Sequence, residues 1–154
     1  MKEIIIKDTD DNTLYESCYE RRAQYYETDQ MGVVHHSNYI RWFEEARVDF
    51  LNRIGAGYRE MEAAGIVSPV VSVACKYRSM VRFDDEVEIR LKITAYNGVK
   101  LSLSYEVRDK KDGTVRCIGE SSHCFLGPEG KPVSLKKDYP HYHELFMNCM
   151  QEEQ

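Results

Sequence analysis

Long apolar runs are missing from this 154-residue chain, and no stretch approaches the roughly 20 residues that a transmembrane helix needs. The first residues, MKEIIIKDTDDN, also lack the apolar core of a secretory signal peptide. We therefore expect a cytoplasmic protein with no membrane span. The length and an ordinary composition, 42% hydrophobic and 31% charged, predict a single domain over residues 1–154.

Cysteine pairs and metal-binding motifs are also scarce. The five cysteines are odd in number and scattered, with no C-x-x-C, so we expect small apolar side chains in a reducing compartment. The adjacent His35 and His36 cannot easily point at one ion, and no H-E-x-x-H sequence is present. The sequence predicts no metal site and no cofactor.

The chain has no excess of positive charge. Its formal net charge of -5 argues against nucleic acid as the main partner, although a few local Lys or Arg side chains can still hold a small anion. A Gly-rich phosphate loop, a dinucleotide fingerprint and a G-x-S-x-G motif are all missing. These absences argue against nucleotide-dependent and serine-hydrolase chemistry.

One long helix is the strongest pattern present, and it is predicted over Asn38–Ile54. Its apolar residues recur at spacings of three and four, and neighbouring apolar residues widen the stripe: Tyr39, Phe43, Ala46, Phe50 and Ile54, with Ile40, Trp42, Val48 and Leu51. We therefore expect the helix to be covered over more than half of its circumference. Ser37 or Asn38 is the expected N-cap, and Gly55 is the expected C-terminal stop.

An alternation of period two replaces the helical pattern after residue 69 and predicts four long strands. The apolar positions of the first run are expected to face the core: Val71, Val73, Cys75, Tyr77, Val81 and Phe83. Asn97-Gly98 and Asp112-Gly113 predict the later turns, and Gly119 is expected to mark a bulge. An earlier run over residues 14–26 predicts a further strand.

These elements predict an α+β architecture in which an antiparallel sheet wraps its single apolar face around the long helix. The core is expected over residues 14–127, with a C-terminal extension over residues 128–154 that contains a helix opening at Pro140. The edge strands of such a sheet would be free to pair with a second subunit.

A carboxylate stands just ahead of the long helix. Asp29 is followed by Gly32 and by the small apolar pair Val33 and Val34. The start of a helix offers unpaired backbone N–H groups and the positive end of the helix dipole. An anionic base or nucleophile beside such donors suits acyl transfer. Most Asp residues ahead of helices only cap or turn the chain, but the flanking residues favour catalysis here.

The run T-D-x-x-G-V-V-x-H-x-x-Y, from Thr28 to Tyr39, with Arg41-Trp42-Phe43 behind it, resembles the motif of the 4-hydroxybenzoyl-CoA thioesterase family. The nearest type is the YbgC/FadM-like acyl-CoA thioesterases, and the resemblance covers about residues 14–127. It implies a hot-dog fold, a curved antiparallel β-sheet wrapped around one long central α-helix. It also implies a homodimer or homotetramer with active sites between subunits, and acyl-CoA as the substrate.

The resemblance implies roles for individual residues. Asp29 would be the catalytic carboxylate, and the backbone N–H of His36 would polarise the thioester carbonyl. Histidine chemistry, apart from the resemblance, makes the His36 ring a candidate second-line proton carrier. The remaining candidates would bind substrate, with the basic ones holding CoA phosphates at the mouth of the site: Gly32, Val33, His35, Tyr39, Arg78, Arg82 and Lys100. His35 replaces a Tyr of many members, and Met80 replaces a Pro, so the acyl preference is not inherited.

Several alternatives stay open at this point. Asp29 can attack the thioester carbonyl to form a mixed anhydride, or it can act as a general base on water. A hydratase or dehydratase of the same fold would use Asp29 with His35 or His36, and a non-catalytic subunit would bind an acyl thioester without turnover. Retention of Asp29 and Gly32 argues against the last. The acyl carrier is CoA or a carrier protein, and the acidic charge disfavours the acidic carrier protein.

Overall fold

The structure, a computed structural model, describes the backbone of residues 4–9 and 12–150 and the side chains of residues 16–150. Its strands are β1 (Ile4–Thr9), β2 (Asn12–Arg22), β3 (Val70–Tyr77), β4 (Glu86–Tyr96), β5 (Lys100–Asp109) and β6 (Val115–Cys124). Its helices are α1 (Ser37–Ile54), α2 (Tyr58–Ala63), α3 (Leu135–Asp138) and α4 (Pro140–Cys149), and a 3-10 turn spans Tyr25–Glu27.

All six strands form one antiparallel sheet in the order β1-β2-β4-β5-β6-β3. The predicted turns at Asn97-Gly98 and Asp112-Gly113 are confirmed. Gly98 connects β4 to β5 with a φ of 91°, and Gly113 lies between β5 and β6 with a φ of 75°. The strand predicted over residues 14–26 starts earlier and ends earlier, at Arg22, because the 3-10 turn takes the chain out of the sheet.

Helix α1 has 18 residues, about 27 Å at 1.5 Å per residue, and packs across the inner face of the sheet. The predicted stripe is confirmed on its sheet side, where Trp42 and Phe50 are fully buried, but Ile40 and Val48 remain 42% and 37% exposed. The helix ends as predicted at Gly55, which has a left-handed φ of 88°. The predicted N-cap is wrong: the cap position is His36, and it makes no side-chain cap bond.

Gly119 does not mark a bulge, contrary to the prediction. It keeps a continuous register with Cys75 on β3 and Tyr105 on β5. A Cβ at this position would lie 2.4 Å from the ring of Phe43, which stacks on Tyr105 with ring centroids 4.4 Å apart. Glycine is therefore required here because α1 lies directly on the sheet at this point.

Strand β3 is exposed along its length, although the sequence predicted a buried apolar face there. Val71 and Val73 are 64% and 39% exposed. The reason is its place in the sheet: β3 is an edge strand beyond β6, and α1 does not cover it. The predicted strand also ends earlier, at Tyr77, so that the buried Val81 and the exposed Phe83 lie in the loop before β4.

The helix predicted to open at Pro140 is confirmed as α4, and the short α3 before it was not predicted. Phe146 of α4 packs against Tyr96 and Phe125, with ring centroids 5.2 Å and 5.8 Å away. The C-terminal extension therefore closes the end of the sheet that carries the β4–β5 hairpin. Residues 151–154 of the predicted extension lie outside the described residues.

Candidate active site

Asp29 opens a tight turn between the 3-10 turn and α1. Its backbone N–H donates to the carbonyl of Val33 at 2.9 Å, and the N–H of Gly32 donates to the carbonyl of Asp29 at 2.9 Å. Gly32 has a φ of +79°, a left-handed conformation that glycine adopts without strain. Oδ1 of Asp29 accepts the N–H of Met31 at 2.9 Å, and the carboxylate has no other partner within the described residues. The other oxygen of this partly buried carboxylate, Oδ2, therefore makes no hydrogen bond to the described residues.

The Asp29 turn is the tip of a short antiparallel ladder. Below the Asp29–Val33 rung, Thr28 pairs with Val34, and the N–H of His35 then donates to the carbonyl of Glu27 at 2.9 Å. The second side of the ladder is joined to the loop before β4, because Val33 pairs with Arg82. The fold thus brings Asp29, Gly32, Val33 and Arg82 close to one another.

The start of α1 leaves one amide open. The N–H of Ser37 is capped by Nδ1 of the His35 ring at 3.2 Å, and the N–H of Asn38 donates to the His35 carbonyl at 2.9 Å. The N–H of His36 has no acceptor in the part of the chain that the structure describes. The positive end of the helix dipole adds to this donor, so His36 offers the electrostatics of an oxyanion site.

Two tyrosines lie under the helix start. Tyr77, at the end of β3, donates its hydroxyl to the His36 carbonyl at 3.1 Å and contacts the Tyr39 ring, with ring centroids 5.2 Å apart. Burial raises the pKa of Tyr39 to about 12, and burial followed by the contact with Cys75 raises the pKa of Tyr77. Both are therefore neutral hydroxyls near pH 7. Tyr39, predicted to bind substrate, is buried in this chain, whereas Tyr77 was missing from the predicted set.

The two histidine rings of the site stack on each other with centroids 4.1 Å apart. The His35 ring turns back onto the helix and contacts the Ser37 hydroxyl at 2.8 Å, so it acts as a local cap. The His36 ring is exposed and lies edge-on to Tyr77, with centroids 6.2 Å apart. The His35 ring is exposed as well, but its Nδ1 is engaged at the helix start, whereas the His36 ring has no hydrogen-bond partner among the described residues.

A second carboxylate, Glu27, is buried two residues before Asp29 and is only 3% exposed. Arg21 forms a two-pronged ion pair with it at 3.1 Å and 2.8 Å, and the indole N–H of Trp42 donates to Oε2 at 2.8 Å. The N–H of Gln24 donates to Oε1 at 2.8 Å. Sequence reasoning missed Glu27, because its partners lie on β2 and α1 and no periodic pattern connects them.

The predicted phosphate-binding residues divide between two ends of the sheet. Arg78 and Arg82 are exposed and follow β3, at the same end as Asp29. Lys100 opens β5 beside the β4–β5 turn, whereas Asp109 at the far end of β5 pairs with Val87, near the Arg82 loop. The distance along β5 from Lys100 to Asp109 is about 30 Å at the usual rise per residue of a strand. Lys100 is therefore not brought to Asp29 within one chain.

Within residues 4–9 and 12–150, no helix has the length and apolarity needed to cross a membrane. Groups of three or more His, Cys, Asp or Glu side chains that could hold a metal ion are also missing from this described part.

Residues 23–139, most of the chain, match the thioesterase-like superfamily. The chain belongs to this superfamily. A DHNA-CoA thioesterase from Staphylococcus aureus superposes with a TM-score of 0.82 at 31% identity, covering 88% of this chain and 91% of that one. A hypothetical protein from Aquifex aeolicus superposes with a TM-score of 0.76 at 34% identity, over 84% and 98% of the two chains.

A curated member from Escherichia coli, the acyl-CoA thioester hydrolase YbgC, is 29% identical over 86 residues, which are 56% of this chain and 64% of that protein. The resemblance read from residues 28–43 is therefore confirmed at the level of the family. The α+β arrangement, with a curved antiparallel sheet around α1, is the hot-dog fold of this thioesterase-like superfamily.

Proposed function

We propose that this protein is an acyl-CoA thioesterase, which hydrolyses the thioester bond of an acyl-CoA to a free acid and CoA. The observation that carries the proposal is that one short ladder holds both an available carboxylate and an open amide. Asp29 lies at the tip of the ladder, and His36 follows the lowest rung on its other side. Membership of the thioesterase-like superfamily supports it, as do the names of the Staphylococcus and Escherichia relatives.

The reaction requires an oxygen nucleophile and a donor for the carbonyl oxygen that becomes anionic. In one route Asp29 attacks the carbonyl carbon, the CoA thiolate leaves, and water hydrolyses the mixed anhydride. In the other, Asp29 takes a proton from the water that attacks. In both, the His36 N–H stabilises the oxyanion, a contact worth about 10²–10³ in rate. The exposed His36 ring is the candidate proton donor to the leaving thiolate.

We further propose that a second copy of the chain completes the site by pairing along β3. This edge strand carries unpaired backbone groups and exposed Val71 and Val73, a combination that favours pairing with another strand. Antiparallel pairing of two β3 strands would set the Val70 end of one beside the Tyr77 end of the other. The exposed apolar side chains of β3 would then be covered, and the homo-oligomer would be at least a dimer.

This pairing gives Lys100 a role that it cannot have within one chain. On β5, Leu101 aligns with His123 of β6, which in turn aligns with Val70 of β3. At a strand spacing of about 4.8 Å, Lys100 of the partner subunit would lie roughly 15 Å from the Tyr77 end of the first subunit. There it could hold CoA phosphates together with Arg78 and Arg82, while the acyl end reaches Asp29.

The proposal is tested with the wild type and Asp29→Asn, by following free thiol release from a panel of acyl-CoAs. Asparagine keeps the size and the turn contact but removes the base and nucleophile, so kcat should fall by about 100-fold or more. Asp112→Asn is the matched control, because Asp112 also accepts the N–H two residues on, at 2.9 Å from Thr114, in a distant turn. Its activity should equal that of the wild type.

Each contrary result has a distinct meaning. If Asp29→Asn retains wild-type turnover, Asp29 does not perform the chemistry. If the wild type binds acyl-CoA without releasing thiol, the binding-subunit alternative replaces the thioesterase proposal. If it adds or removes water across the acyl chain while the thioester survives, the hydratase or dehydratase alternative is correct.

A further inference from the structure

The ladder that carries Asp29 is held at its base by one residue, Glu27. The backbone carbonyl of Glu27 accepts the N–H of His35 at 2.9 Å and the side-chain amide of Asn38 at 2.8 Å. The first bond forms the lowest rung of the ladder, and the second attaches that rung to the first turn of α1. Glu27 therefore contacts both segments whose spacing matters for catalysis, the one leading to Asp29 and the one leading to His36.

The Glu27 side chain adds three more attachments. Arg21 comes from β2, Gln24 directly precedes the 3-10 turn, and Trp42 comes from the second turn of α1. A buried carboxylate is costly unless charge and hydrogen bonds satisfy it, and here a guanidinium, an indole N–H and a backbone N–H do so. Strand, turn and helix are thereby fixed to one carboxylate directly beneath the site.

We propose that Glu27 is a positioning residue for thioester hydrolysis, which sets the spacing between the Asp29 carboxylate and the His36 amide. Arg21 and Trp42 support it. This inference rests on the proposed function, and it assigns Glu27 no contact with substrate. Loss of about 1 Å of precision between reacting groups can cost about 10²-fold in rate. A purely structural carboxylate would instead change stability and leave the turnover of folded protein unchanged.

Glu45 provides a matched control on the same arginine. It accepts Nε of Arg21 at 2.8 Å and the hydroxyl of Tyr19 at 3.0 Å, but it lies on the outer side of the cluster with a side chain 36% exposed. Glu45→Gln removes a carboxylate from Arg21 without touching the ladder. It therefore separates the loss of an ion pair from the loss of positioning.

The kinetic test compares Glu27→Gln with Glu45→Gln at a temperature where both variants are folded. Glutamine has the size of Glu27, but its amide cannot accept from all three donors. We expect kcat to fall about 10- to 100-fold with KM within threefold, since substrate contacts are unchanged. Glu45→Gln should keep kcat within threefold. Equal kcat losses in the two variants, or an unchanged kcat in folded Glu27→Gln, would overturn the proposal.

A spectroscopic test does not depend on activity. Trp42 is the only tryptophan of the chain, so a nitrogen-15 spectrum shows one indole N–H signal, and that N–H is the one bonded to Glu27. In Glu27→Gln the indole signal and the His36 amide signal should both move, whereas in Glu45→Gln both should stay. An indole signal that moves while the His36 amide does not would show that Glu27 fails to position the helix start.

Trp42→Phe covers the case in which Glu27→Gln does not fold. It removes one donor to Glu27 and keeps a ring at this buried position, so we expect kcat to fall about 3- to 10-fold. The His36 amide signal should move with it, and a variant with wild-type kcat and an unmoved His36 signal would overturn the proposal. If the wild type hydrolyses no acyl-CoA, the proposed function fails, and the two spectra still decide whether Glu27 holds the ladder.

Discussion

Two polar clusters lie buried under the same helix, one at each half of α1. The loop anchor consists of Arg21, Glu27 and Trp42 near the N-terminal end. The core polar row consists of Arg47, Tyr105, Ser121 and His123 under the C-terminal half. In this row Arg47 donates to the Tyr105 hydroxyl at 3.0 Å, and hydrogen bonds of 2.6 Å and 2.7 Å continue through Ser121 to Nε2 of His123.

The two clusters differ in charge, and one reaches the protein surface whereas the other stays buried. The loop anchor pairs a carboxylate with a guanidinium and ends in an exposed turn that carries Asp29. The core polar row contains a cation held mainly by hydroxyls, and it ends in His123, whose Nδ1 is buried without a partner. We infer that changes at the first affect turnover, whereas changes at the second affect stability and its dependence on pH.

The largest effect is expected on β3, the edge strand proposed to pair with a second copy, which belongs to neither cluster. Val73→Asp would place a charge on the exposed inner face of β3 and should separate the subunits. Turnover should fall about 100-fold or more, because the partner residues of the site are lost. Light scattering measures the mass, and thiol release measures the activity.

Thr94→Asp is the control for that variant, since it adds the same charge to an exposed position of β4. It should leave both mass and activity unchanged. A monomeric Val73→Asp with full activity would show that one chain contains the complete site.

The core polar row predicts a specific pH dependence. Burial first, and the Arg47 cation second, lower the pKa of His123 to about 4. In the unfolded chain a histidine has a pKa of about 6.5. Between about pH 6.5 and 4 the unfolded chain therefore binds more protons than the folded chain, and stability falls as the pH falls. From pH 6.5 to 4.5 the free energy of unfolding should drop by roughly 2 kcal/mol from this group.

Denaturant titrations at both pH values measure this loss of stability. His123→Gln should lose about 2 kcal/mol less than the wild type, because only the contributions of other groups remain. An equally large loss in the variant would mean that His123 does not cause it. Turnover per folded molecule should be the same in the two proteins above pH 7, because the core polar row does not reach the Asp29 turn.

An effect on stability of similar size is expected between the two clusters, where the Phe43 ring lies against Gly119. Gly119→Ala would bring a Cβ within 2.4 Å of the Phe43 ring, so the ring must shift. Overpacking of this kind costs about 1–3 kcal/mol, and thermal unfolding should show it. A variant as stable as the wild type would mean that α1 moves freely over the sheet.

The smallest effect on turnover is expected at an ion pair on α1 away from both clusters. Asp49 pairs with Arg53 four residues on, at 3.0 Å, with side chains 27% and 5% exposed. Asp49→Asn removes a charge beside a buried guanidinium, so it should cost about 1–3 kcal/mol of stability and leave kcat unchanged. A kcat that falls with the stability would mean that this part of α1 acts on the site.

Local patterns predicted the elements that local forces determine. The helical stripe from Tyr39 to Phe50 and the turn at Asn97-Gly98 follow from spacing and turn chemistry, and both are confirmed. The exposure of β3 could not be predicted, because alternation marks an apolar face but not whether the same chain covers it. Val71 and Val73 therefore belong to a face that only a second molecule would bury.

The candidate site was predictable only in part for the same reason. Asp29 and Gly32 stand out in the sequence, and the turn they form follows from the glycine. The role of Glu27 depends on Arg21 and Trp42, which the fold brings from two other elements. Likewise, the sequence did not show that the His35 ring would cap the helix and leave the His36 amide open.

The most direct test of the central claim is subunit complementation. Asp29→Asn removes the acid from its own site, and Lys100→Glu would remove the phosphate contact from the partner's site. After equimolar mixing and subunit exchange, half of the dimers would be mixed, each with one intact site, so activity should recover to about a quarter of the wild type. Activity no higher than the mean of the two separate variants would contradict a site shared between subunits.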